Sequence, residues 1–311
     1  MLSIDNVFEA RKRIAGVASQ TPLVESPALS QAFGGRIFLK LECFQPTKVF
    51  KIRGAYNKIS RVPGGKVVAA SSGNHGVAVA YVSRLLGKQS TIVVPENAVK
   101  EKVDTIKEYG AEVLKFGRFS DDRVKKAREV AAETSAVFIH PFDDHDIIAG
   151  QGTIGIEIVE QMKEVDSVVV PVGGGGLISG IATAVKSMKP SAKVFGSEPT
   201  GSSKLGPALK NGHIVRIEHP RSIADGLRTN SVGQLPFKIC RRLVDGAFEV
   251  SEDQILRSMK LLAREHVFAE PSAAVPLAAL FSKSNRSRMG QEIVLVISGG
   301  NVAHSLLKKI L

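Results

Sequence analysis

Short runs of apolar, largely β-branched residues alternate along this chain with longer helix-like segments. The runs that we interpret as strands are residues 36–42, 66–71, 90–94, 112–116, 137–140, 167–172, 194–198, 247–250 and 292–297. The segments that we interpret as helices are residues 74–86, 98–109, 121–133, 150–161, 177–188, 252–265 and 271–281. Because strands alternating with helices are typical of parallel sheets, the pattern predicts an α/β fold.

The runs between residues 66 and 140 form one compact group of four predicted strands. Turn-forming residues flank this group, with Pro63-Gly64-Gly65 before it and Pro141-Phe142-Asp143-Asp144 after it, and we interpret both segments as hinges. We therefore predict a small domain, residues 61–144, inserted into a large domain made of residues 1–60 and 145–311.

The composition is that of an ordinary globular protein, with 43% apolar and 23% charged residues in a chain of 311 residues. The formal net charge of +12 makes nucleic-acid binding a hypothesis to consider. The basic residues are scattered, however, in segments such as Arg11-Lys12-Arg13 and Arg241-Arg242, and no basic stretch is interleaved with aromatic residues. We therefore expect no nucleic-acid partner and interpret the charge as a basic surface that attracts anionic ligands.

The cysteines and the hydropathy pattern indicate the cellular setting. Cys43 and Cys240 lie far apart and match no metal-binding spacing, which favours a reduced, intracellular environment. The chain has no run of about 18 apolar residues, and its first residues do not resemble a signal peptide. We therefore expect a cytoplasmic protein that has no membrane partner.

The most informative residue is Lys51, which follows Phe50 directly and opens a helix-like stretch after a short polar turn. A lysine partly withdrawn from water has a lowered pKa, and its free amine can attack a carbonyl to form a Schiff base. A lysine holds pyridoxal phosphate (PLP) by this reaction. A lysine in the first turn of a helix is more often a solvated surface residue, so the assignment depends on further motifs.

Two loops of small residues join predicted strands to predicted helices. Ser71-Ser72-Gly73-Asn74-His75-Gly76 and Gly173-Gly174-Gly175-Gly176 would each present backbone N–H groups at a helix N-terminus, which can bind a carboxylate or a phosphate. The glycines do not fit a dinucleotide fingerprint, because a third glycine would be needed where Ile178 or Ser179 stands. No P-loop lysine follows them either, so the second loop predicts a cradle for a single phosphate.

A third motif, Ser298-Gly299-Gly300-Asn301, closes the last predicted strand. Its serine would lie at the carboxyl edge of the sheet, where α/β proteins bind their ligands. By itself the motif is also compatible with an ordinary helix cap.

Taken together, these motifs resemble those of the fold-type II PLP enzymes, the tryptophan synthase β-subunit-like family, and most of all its threonine dehydratase and serine racemase branch. The resemblance extends from about Glu9 to the C-terminus. The matching segments are Phe50-Lys51-Ile52-Arg53-Gly54-Ala55, Ser71-Ser72-Gly73-Asn74-His75-Gly76, Ile148-Ala149-Gly150-Gln151-Gly152-Thr153, Gly173-Gly174-Gly175-Gly176-Leu177, Ser197-Glu198-Pro199, Ile223-Ala224-Asp225-Gly226, Glu270-Pro271 and Ser298-Gly299-Gly300-Asn301. It implies two open, twisted, mostly parallel sheets flanked by helices, a PLP-binding large domain, a small domain that closes on the substrate, and a homodimer or homotetramer.

The resemblance also implies a role for each matching residue. Lys51 would hold PLP as a Schiff base and act as the catalytic base at the substrate Cα, and Phe50 would pack on the pyridine ring. The other cofactor contacts would be Asn74 at the ring 3′-oxygen, Ser298 at the pyridine nitrogen, and the backbone amides of Gly173, Gly174, Gly175, Gly176 and Leu177 at the phosphate. The substrate would be held by Ser71, Ser72, Asn74, His75 and Gly226.

The activity that the resemblance implies is that of an L-threonine and L-serine ammonia-lyase, which forms 2-oxobutyrate or pyruvate and ammonia by α,β-elimination from a small hydroxy amino acid. A serine opposite the pyridine nitrogen suits elimination, because the neutral ring is a moderate electron sink and the carbanion expels the β-hydroxyl. Two alternatives stay open: a hydroxyaspartate ammonia-lyase, and a serine racemase with dehydratase side activity that uses Ser72 as a second catalytic acid and base.

Two hypotheses from other classes also remain. A protein that binds a phosphorylated ligand without turnover is disfavoured by Lys51, and a NAD-dependent dehydrogenase is disfavoured by the spacing of the glycines.

The chain departs from the family pattern in three places. Val49 stands where family members commonly have a serine. Glu198 matches the start of a divalent-cation site in the racemase branch, but Lys204 replaces the acidic ligand expected six positions later. An ammonium near Glu198 can substitute for a metal, so we predict no metal ligand and leave Glu198 open as the one alternative. The chain also ends soon after Asn301, without the regulatory domain of biosynthetic threonine dehydratases, so we expect no feedback inhibition by isoleucine.

Overall fold

The computed structural model describes residues 2–98, 100–117, 120–303 and 306–308. The strands are β1 (Leu23–Glu25), β2 (Arg36–Leu41), β3 (Lys66–Ala70), β4 (Gln89–Val94), β5 (Glu112–Lys115), β6 (Val137–Phe138), β7 (Ser167–Pro171), β8 (Lys193–Pro199), β9 (Gly246–Val250) and β10 (Glu292–Ile297). The α-helices are α1 (Ile4–Ile14), α2 (Pro27–Phe33), α3 (Lys51–Ile59), α4 (Asn74–Leu85), α5 (Lys100–Glu108), α6 (Ser120–Glu133), α7 (His145–Gln161), α8 (Gly176–Met188), α9 (Leu205–Asn211), α10 (Gln234–Leu243), α11 (Glu252–Arg264), α12 (Pro271–Ala278) and α13 (Lys283–Arg286). Short 3-10 turns lie at Glu42–Phe44, Thr200–Ser202, Asp225–Leu227 and Ala279–Phe281.

The strands form two separate sheets. One has six strands in the order β1-β2-β10-β7-β8-β9, and the other has four in the order β5-β4-β3-β6. β1 pairs antiparallel with β2, and every other neighbouring pair is parallel. The predicted α/β fold with two mostly parallel sheets flanked by helices is therefore confirmed.

Every strand predicted from the sequence forms within two residues of its expected bounds, whereas β1 was not predicted. α7 begins at His145 and not at residue 150, because the Asp144 side chain caps it by accepting hydrogen bonds from the backbone amides of Asp146 and Ile147. The early start places α7 directly after the 141–144 segment that we interpreted as a hinge.

Glycines allow α3 and α8 to pack closely on α7. A Cβ at Gly150 of α7 would lie 2.6 Å from the carbonyl oxygen of Arg53 in α3, and one at Gly180 of α8 would lie 2.6 Å from the backbone nitrogen of Gly152 in α7. Real Cβ atoms do not approach backbone this closely, so larger residues would force the helices apart. α7 thereby fixes the relative positions of the helix that carries Lys51 and the helix that follows the glycine loop.

α3 packs both against the core beside the four-stranded sheet and against α7. Ile52 and Ile59 on one face join the core of the four-stranded unit, while Gly54 on another face meets α7. The chain division at residues 60/61 and 144/145 stays a prediction.

A buried ion cluster, defined here as Lys40, Glu42, Arg53 and Glu157, joins α3 to β2, α7 and the turn after β2. Arg53 Nη2 lies 2.8 Å from Glu42 Oε1, Arg53 Nη1 lies 2.5 Å from Glu157 Oε1, and Lys40 Nζ lies 2.6 Å from Glu157 Oε2. All four side chains are at most 7% exposed. Two cations are thus matched by two carboxylates out of contact with water, which is the arrangement that offsets the cost of burying charge.

Candidate active site

A cavity of about 1020 Å³ lies where the carboxyl ends of strands from both sheets face each other. Its walls include the loops that follow β3, β7 and β10 and the first residues of α3. Every residue that the sequence predicted to contact PLP or substrate lines this one cavity: Phe50, Lys51, Ser71, Ser72, Asn74, His75, Gly173, Gly174, Gly175, Gly176, Leu177, Gly226 and Ser298. The structure therefore brings together motifs that are up to about 250 positions apart along the chain.

Lys51 is the first residue of α3, and its half-buried side chain extends into the cavity. Nζ donates a hydrogen bond to the carbonyl oxygen of Pro141 at 2.8 Å and lies 5.1 Å from the centre of the Phe50 ring. Burial lowers the pKa of Lys51 to about 8, against a smaller opposing effect of the Glu270 carboxylate. The side chain is therefore an amine that gives up its proton close to neutral pH.

The backbone just before Lys51 is fastened to the loop that follows β10. The amide of Phe50 donates to the carbonyl of Ser298 at 3.1 Å, and the amide of Gly300 donates to the carbonyl of Lys48 at 2.8 Å. Val49, which departs from the family's serine, is fully buried and pairs with Gly299 in an antiparallel bridge. Lys51 and Ser298 are thus held in a fixed relation by main-chain hydrogen bonds.

The glycine loop leads from β7 into α8. Gly175 has a φ of +88°, in the left-handed region that favours glycine, and it directly precedes the first residue of the helix. The first helical hydrogen bond runs from the amide of Ser179 to the carbonyl of Gly175 at 3.0 Å, so the amides before it have no partner within the helix. Together with the helix dipole, these amides form a site for an anion such as a phosphate.

The loop glycines are also required by the protein that surrounds them. A Cβ at Gly174 would overlap the ring of Phe142, one at Gly176 would lie 2.9 Å from the Phe142 carbonyl oxygen, and one at Gly175 would lie 2.9 Å from Pro236 Cβ. From the sequence we predicted that these glycines form a cradle for a single phosphate. The packing adds a second reason for them, because neighbours on the protein side leave no room for a side chain either.

The 141–144 segment, which we interpreted as a hinge, is fastened beside that loop. Phe142 packs on the glycines, and the Asp143 carboxylate accepts hydrogen bonds from the amides of Gln234 and Leu235 at 3.0 and 2.9 Å, at the start of α10. The carbonyl oxygen of Pro141 in turn accepts the hydrogen bond from Lys51. The segment therefore does more than connect β6 to α7, because it also contacts the glycine loop, Lys51 and the start of α10.

A second helix N-terminus faces the cavity at α4. Its first helical hydrogen bond runs from the amide of Val77 to the carbonyl of Gly73 at 3.2 Å, which leaves the preceding amides available to an anion. Ser71 and Ser72 are half-buried beside it, and Ser71 Oγ accepts a hydrogen bond from the Gly73 amide at 3.2 Å. These groups can hold a carboxylate by backbone and hydroxyl donors.

The His75 side chain is oriented away from that role. Its Nε2 lies 3.0 Å from the carbonyl oxygen of Ile139, and a carbonyl can only accept, so Nε2 carries the hydrogen. Burial lowers the pKa of His75 to about 3, which keeps the ring neutral and leaves Nδ1 as an acceptor. His75 can therefore donate to a carboxylate through its backbone amide but not through its ring.

Glu270 belongs to a segment that matches the family, but the sequence predicted no role for it. The structure places it in the cavity wall. Glu270 is 5% exposed, and its Oε1 accepts a hydrogen bond from Asn74 Nδ2 at 2.7 Å. Burial raises the pKa of this carboxyl to about 7, although the hydrogen bond from Asn74 lowers it in part. The signal in the sequence was an acid directly before a helix-opening proline in an otherwise apolar segment.

The residues that line the cavity fit PLP. Ser298 Oγ has no hydrogen-bond partner among the described residues, so it is available to a ligand nitrogen. A low-pKa lysine, an aromatic ring beside it and a phosphate-binding helix N-terminus complete the set that the cofactor needs. The chemistry of these donors thus matches an aldehyde, a pyridine ring and a phosphate respectively.

Glu198 and Lys204 lie outside that cavity and form a fully buried pair, with Nζ 3.6 Å from Oε1. The Glu198 carboxylate also accepts hydrogen bonds from the amides of Lys204, Leu205 and Gly206, at distances of 3.0 to 3.1 Å. Burial lowers the pKa of Lys204, and its Nζ donates to the carbonyl oxygens of Ser202 and Leu227. In residues 2–98, 100–117, 120–303 and 306–308, no group of three or more His, Cys, Asp and Glu side chains could hold a metal ion.

None of the helices in the described part of the chain is both long enough and apolar enough to cross a bilayer.

Comparison with known proteins gives consistent results. A family model described as "Pyridoxal-phosphate dependent enzyme" matches residues 14–299. The L-threonine ammonia-lyase of Thermotoga maritima is 39% identical over 316 residues, which cover 100% of this chain and 78% of that protein. The L-threo-3-hydroxyaspartate ammonia-lyase of Saccharomyces cerevisiae is 38% identical over 302 residues, which cover 96% of this chain and 92% of that protein.

A solved structure of maize serine racemase is similar in both sequence and shape. It superposes with a TM-score of 0.95 and is 37% identical, over 99% of this chain and 96% of that one.

Proposed function

We propose that this chain, which belongs to the family of pyridoxal-phosphate dependent enzymes, is an ammonia-lyase for L-threonine and L-serine. The products would be 2-oxobutyrate or pyruvate, together with ammonia. One observation carries the proposal: a lysine with a pKa of about 8 shares one cavity with two helix N-termini, one suited to a phosphate and one to a carboxylate.

When bound, PLP supplies a ring that withdraws electrons from the substrate Cα and so makes the α-proton acidic. The protein's part is to bind, orient and move protons. The amides at the start of α8 would hold the phosphate, Ser298 Oγ would meet the ring nitrogen, and the N-terminus of α4 with Ser71 would hold the substrate carboxylate.

Lys51 Nζ would then accept the α-proton, for which its lowered pKa is suited, since a base works best when its pKa lies near the working pH. The electron pair of the broken C–H bond forms the Cα=Cβ double bond, and the hydroxyl leaves Cβ as water after taking up a proton, which balances the α-proton that Lys51 accepted. Water finally hydrolyses the released enamine to a 2-oxoacid and ammonia, so the overall reaction consumes no net water.

The test is the release of 2-oxoacid from a panel of L- and D-hydroxy amino acids that includes threonine, serine and 3-hydroxyaspartate. Lys51→Ala should abolish turnover, because no other lysine lines this part of the cavity beside the Phe50 ring in the described residues. Lys58→Ala, on the same helix but outside the cavity, is the matched control and should keep activity. Ordinary turnover by Lys51→Ala would refute the proposal.

A serine racemase with dehydratase side activity is the second candidate, and Ser72 favours it. The side chain is half-buried in the cavity wall, and the structure gives its hydroxyl no partner among the described residues. A hydroxyl in that condition is free to exchange a proton with a substrate. Ser72→Ala should leave 2-oxoacid release largely intact while removing any D-serine formed from L-serine, as measured by chiral chromatography. If both activities persist in this variant, Ser72 is a contact residue only.

We also propose a cytoplasmic homodimer or homotetramer. Free Cys43 and Cys240 support a reducing compartment, and the assembly is the one that the resemblance to the family implies. Light scattering coupled to size-exclusion chromatography measures the assembly directly, and a monomer at micromolar concentration would argue against it.

A further inference from the structure

Glu270 is a carboxyl group that the proposed reaction does not use, yet it is buried in the cavity wall. It precedes the first residue of α12, and its backbone amide donates to the carbonyl of Gly299 at 3.1 Å. The other carboxylates that line the cavity, Glu218 and Asp225, are both exposed. Burying a carboxyl is costly unless it is matched by hydrogen bonds, so the fold keeps Glu270 here against an energetic penalty.

The partner of Glu270 is Asn74, whose amide is held from both ends. Asn74 Nδ2 donates to Glu270 Oε1 at 2.7 Å, and Asn74 Oδ1 accepts from Asn301 Nδ2 at 2.9 Å. Asn301 is itself anchored, because its Nδ2 also lies 3.3 Å from the carbonyl oxygen of Thr47. A flipped Asn74 amide would place its oxygen against a carboxylate and its N–H groups against an amide donor, so only one orientation satisfies both neighbours.

An asparagine side chain has two N–H donors and one carbonyl oxygen. In Asn74 the oxygen and one N–H are taken by Asn301 and Glu270, which leaves one N–H. Because Asn74 lines the cavity, that remaining donor is available to whatever occupies it.

We propose that Glu270 is a positioning residue, which fixes the Asn74 amide so that its one uncommitted N–H donor serves the bound cofactor. The inference rests on the proposed PLP-dependent function. Glu270 acts through Asn74 and not directly on the reacting atoms, since Lys51 Nζ hydrogen-bonds to Pro141 and not to this carboxyl.

The proposed role tolerates a change in the charge of Glu270. The ionisable groups that influence it are Lys51 on α3, Lys102 on α5, Asp225 in the turn before Leu227, and the Cys43 thiol beside the 299–301 loop. A protonated carboxyl still has an oxygen that accepts, so the Asn74 contact survives on either side of the carboxyl's pKa. A neutral glutamine, which keeps a carbonyl oxygen at the same place, should therefore substitute for Glu270.

The experiment is a double-mutant cycle on cofactor affinity. The PLP dissociation constant is measured by equilibrium dialysis of the purified holoenzyme for wild type, Glu270→Ala, Asn74→Ala and the double variant. Each single substitution should weaken binding about tenfold, since each removes the same oriented hydrogen bond. The double variant should also be about tenfold weaker, not a hundredfold, because Glu270 has no effect once Asn74 is gone.

Two further readings separate positioning from a structural role. Glu270→Gln should bind PLP within about threefold of wild type, because it restores the acceptor. The absorbance spectrum of bound cofactor in Glu270→Ala should match that in Asn74→Ala, while Glu164→Ala, which removes an exposed carboxylate far from the cavity, should match wild type.

Independent effects of the two substitutions, with fold-changes that multiply, would overturn the inference. So would a Glu270→Gln variant that binds PLP about tenfold more weakly than wild type, and this reading stands even if Glu270→Ala does not fold. Failure of the proposed function looks different, because a protein that releases no 2-oxoacid from hydroxy amino acids would still bind PLP as a member of its family, and the coupling between Glu270 and Asn74 would still be measurable.

Discussion

Two side chains in the cavity have pKa values that burial shifts toward neutrality from opposite directions. The carboxyl of Glu270 rises to about 7, and the ammonium of Lys51 falls to about 8. The cause is the same for both, since a group withdrawn from water favours its neutral form. A carboxyl and an amine are therefore both near their titration points in one cavity close to neutral pH, and in the proposed reaction only the amine of Lys51 moves a proton.

The shifted Glu270 predicts a pH-dependent stability that a glutamine removes. Its folded pKa of about 7 exceeds its ordinary value of 4.5, so the folded protein retains a proton that the unfolded chain releases. The resulting stability is complete below about pH 4.5 and is lost as the pH rises through about 7. In cofactor-free protein, Glu270→Gln should therefore gain stability over wild type at about pH 8, by up to about 3 kcal/mol, and little at about pH 5.

Thermal unfolding of both proteins at several pH values between about 5 and 8 measures this difference. The buried His75 and His140 also titrate on unfolding, but they affect both proteins equally and cancel in the comparison. Glu164→Gln is the control on an exposed carboxylate and should differ from wild type by the same small amount throughout. A constant gap between Glu270→Gln and wild type would mean that Glu270 has its ordinary pKa.

At the scale of elements, the position of α3 decides the position of Lys51. One end of α3 is tied to the loop after β10, glycine contacts press its side onto α7, and Arg53 joins it to β2 and α7 through the buried ion cluster. A helix held in three directions keeps its first side chain in a narrow range of positions, as an orienting scaffold must.

Removal of the cluster's guanidinium should therefore be severe. Arg53→Met would leave the carboxylates of Glu42 and Glu157 buried with only Lys40 as a counter-charge, which we expect to cost about 3–5 kcal/mol of unfolding free energy. Urea denaturation measures the loss. Arg11→Met removes a pair with Glu160 in which both side chains are about two-fifths exposed, and should cost less than about 1 kcal/mol. Equal losses in the two variants would contradict a special role of burial.

The elements that the sequence predicted well are those with a strong local pattern. β7 is a run of five buried residues, and its short β-branched core, Val168-Val169-Val170, followed closely by the glycine loop, favours a buried strand over a helix. β1 was missed because it has three residues, none of them fully buried, and pairs only with β2. Its formation depends on pairing with β2 on the far side of α2, and the three residues of β1 carry no alternating pattern that would report this pairing.

The residues of the site likewise fall into those that a local pattern could predict and those that it could not. Small residues at a strand-to-helix turn have a local physical meaning, so the loops at Ser71 and Gly173 could be recognised as anion sites. The contacts of Glu270 with Asn74 and of Phe142 with the glycine loop join segments that no local pattern connects. The buried ion cluster was unpredictable for the same reason, because a Lys, an Arg and two Glu residues each suggest a solvated surface until the fold brings them together.

For the molecule as a whole, one ion pair connects the two sides of the cavity mouth. Lys102 on α5, beside the four-stranded sheet, lies 2.6 Å from Asp225 Oδ2, next to Gly226 on the other side. Both residues line the cavity and are partly exposed. The pair is well placed to keep the mouth narrow when substrate is bound, at the modest strength expected of an exposed pair.

Loss of this pair should weaken substrate capture without altering the chemistry. Lys102→Ala should raise KM for the amino acid by roughly twofold to fivefold with kcat little changed, and the difference should shrink at high salt, which screens the pair in wild type. Steady-state kinetics at two ionic strengths measure this. Lys100→Ala is the matched control on the same helix, since Lys100 pairs with Asp104 and does not line the cavity. A fall in kcat at constant KM would indicate that Lys102 acts on the reaction itself.

The order of strands in the larger sheet has a consequence for folding during synthesis. β10 leaves the ribosome after the other nine strands of the described residues, yet it lies between β2 and β7, and Ser298 and Gly300 at its end hold the backbone beside Lys51. A nascent chain that has not yet exposed these residues has a gap in the middle of the sheet and no completed lysine environment. Such late, long-range pairing is typically slow and leaves apolar edges exposed in the meantime, which is when molecular chaperones act on a growing chain. Synthesis must therefore proceed beyond Gly300 before the first catalytic turnover.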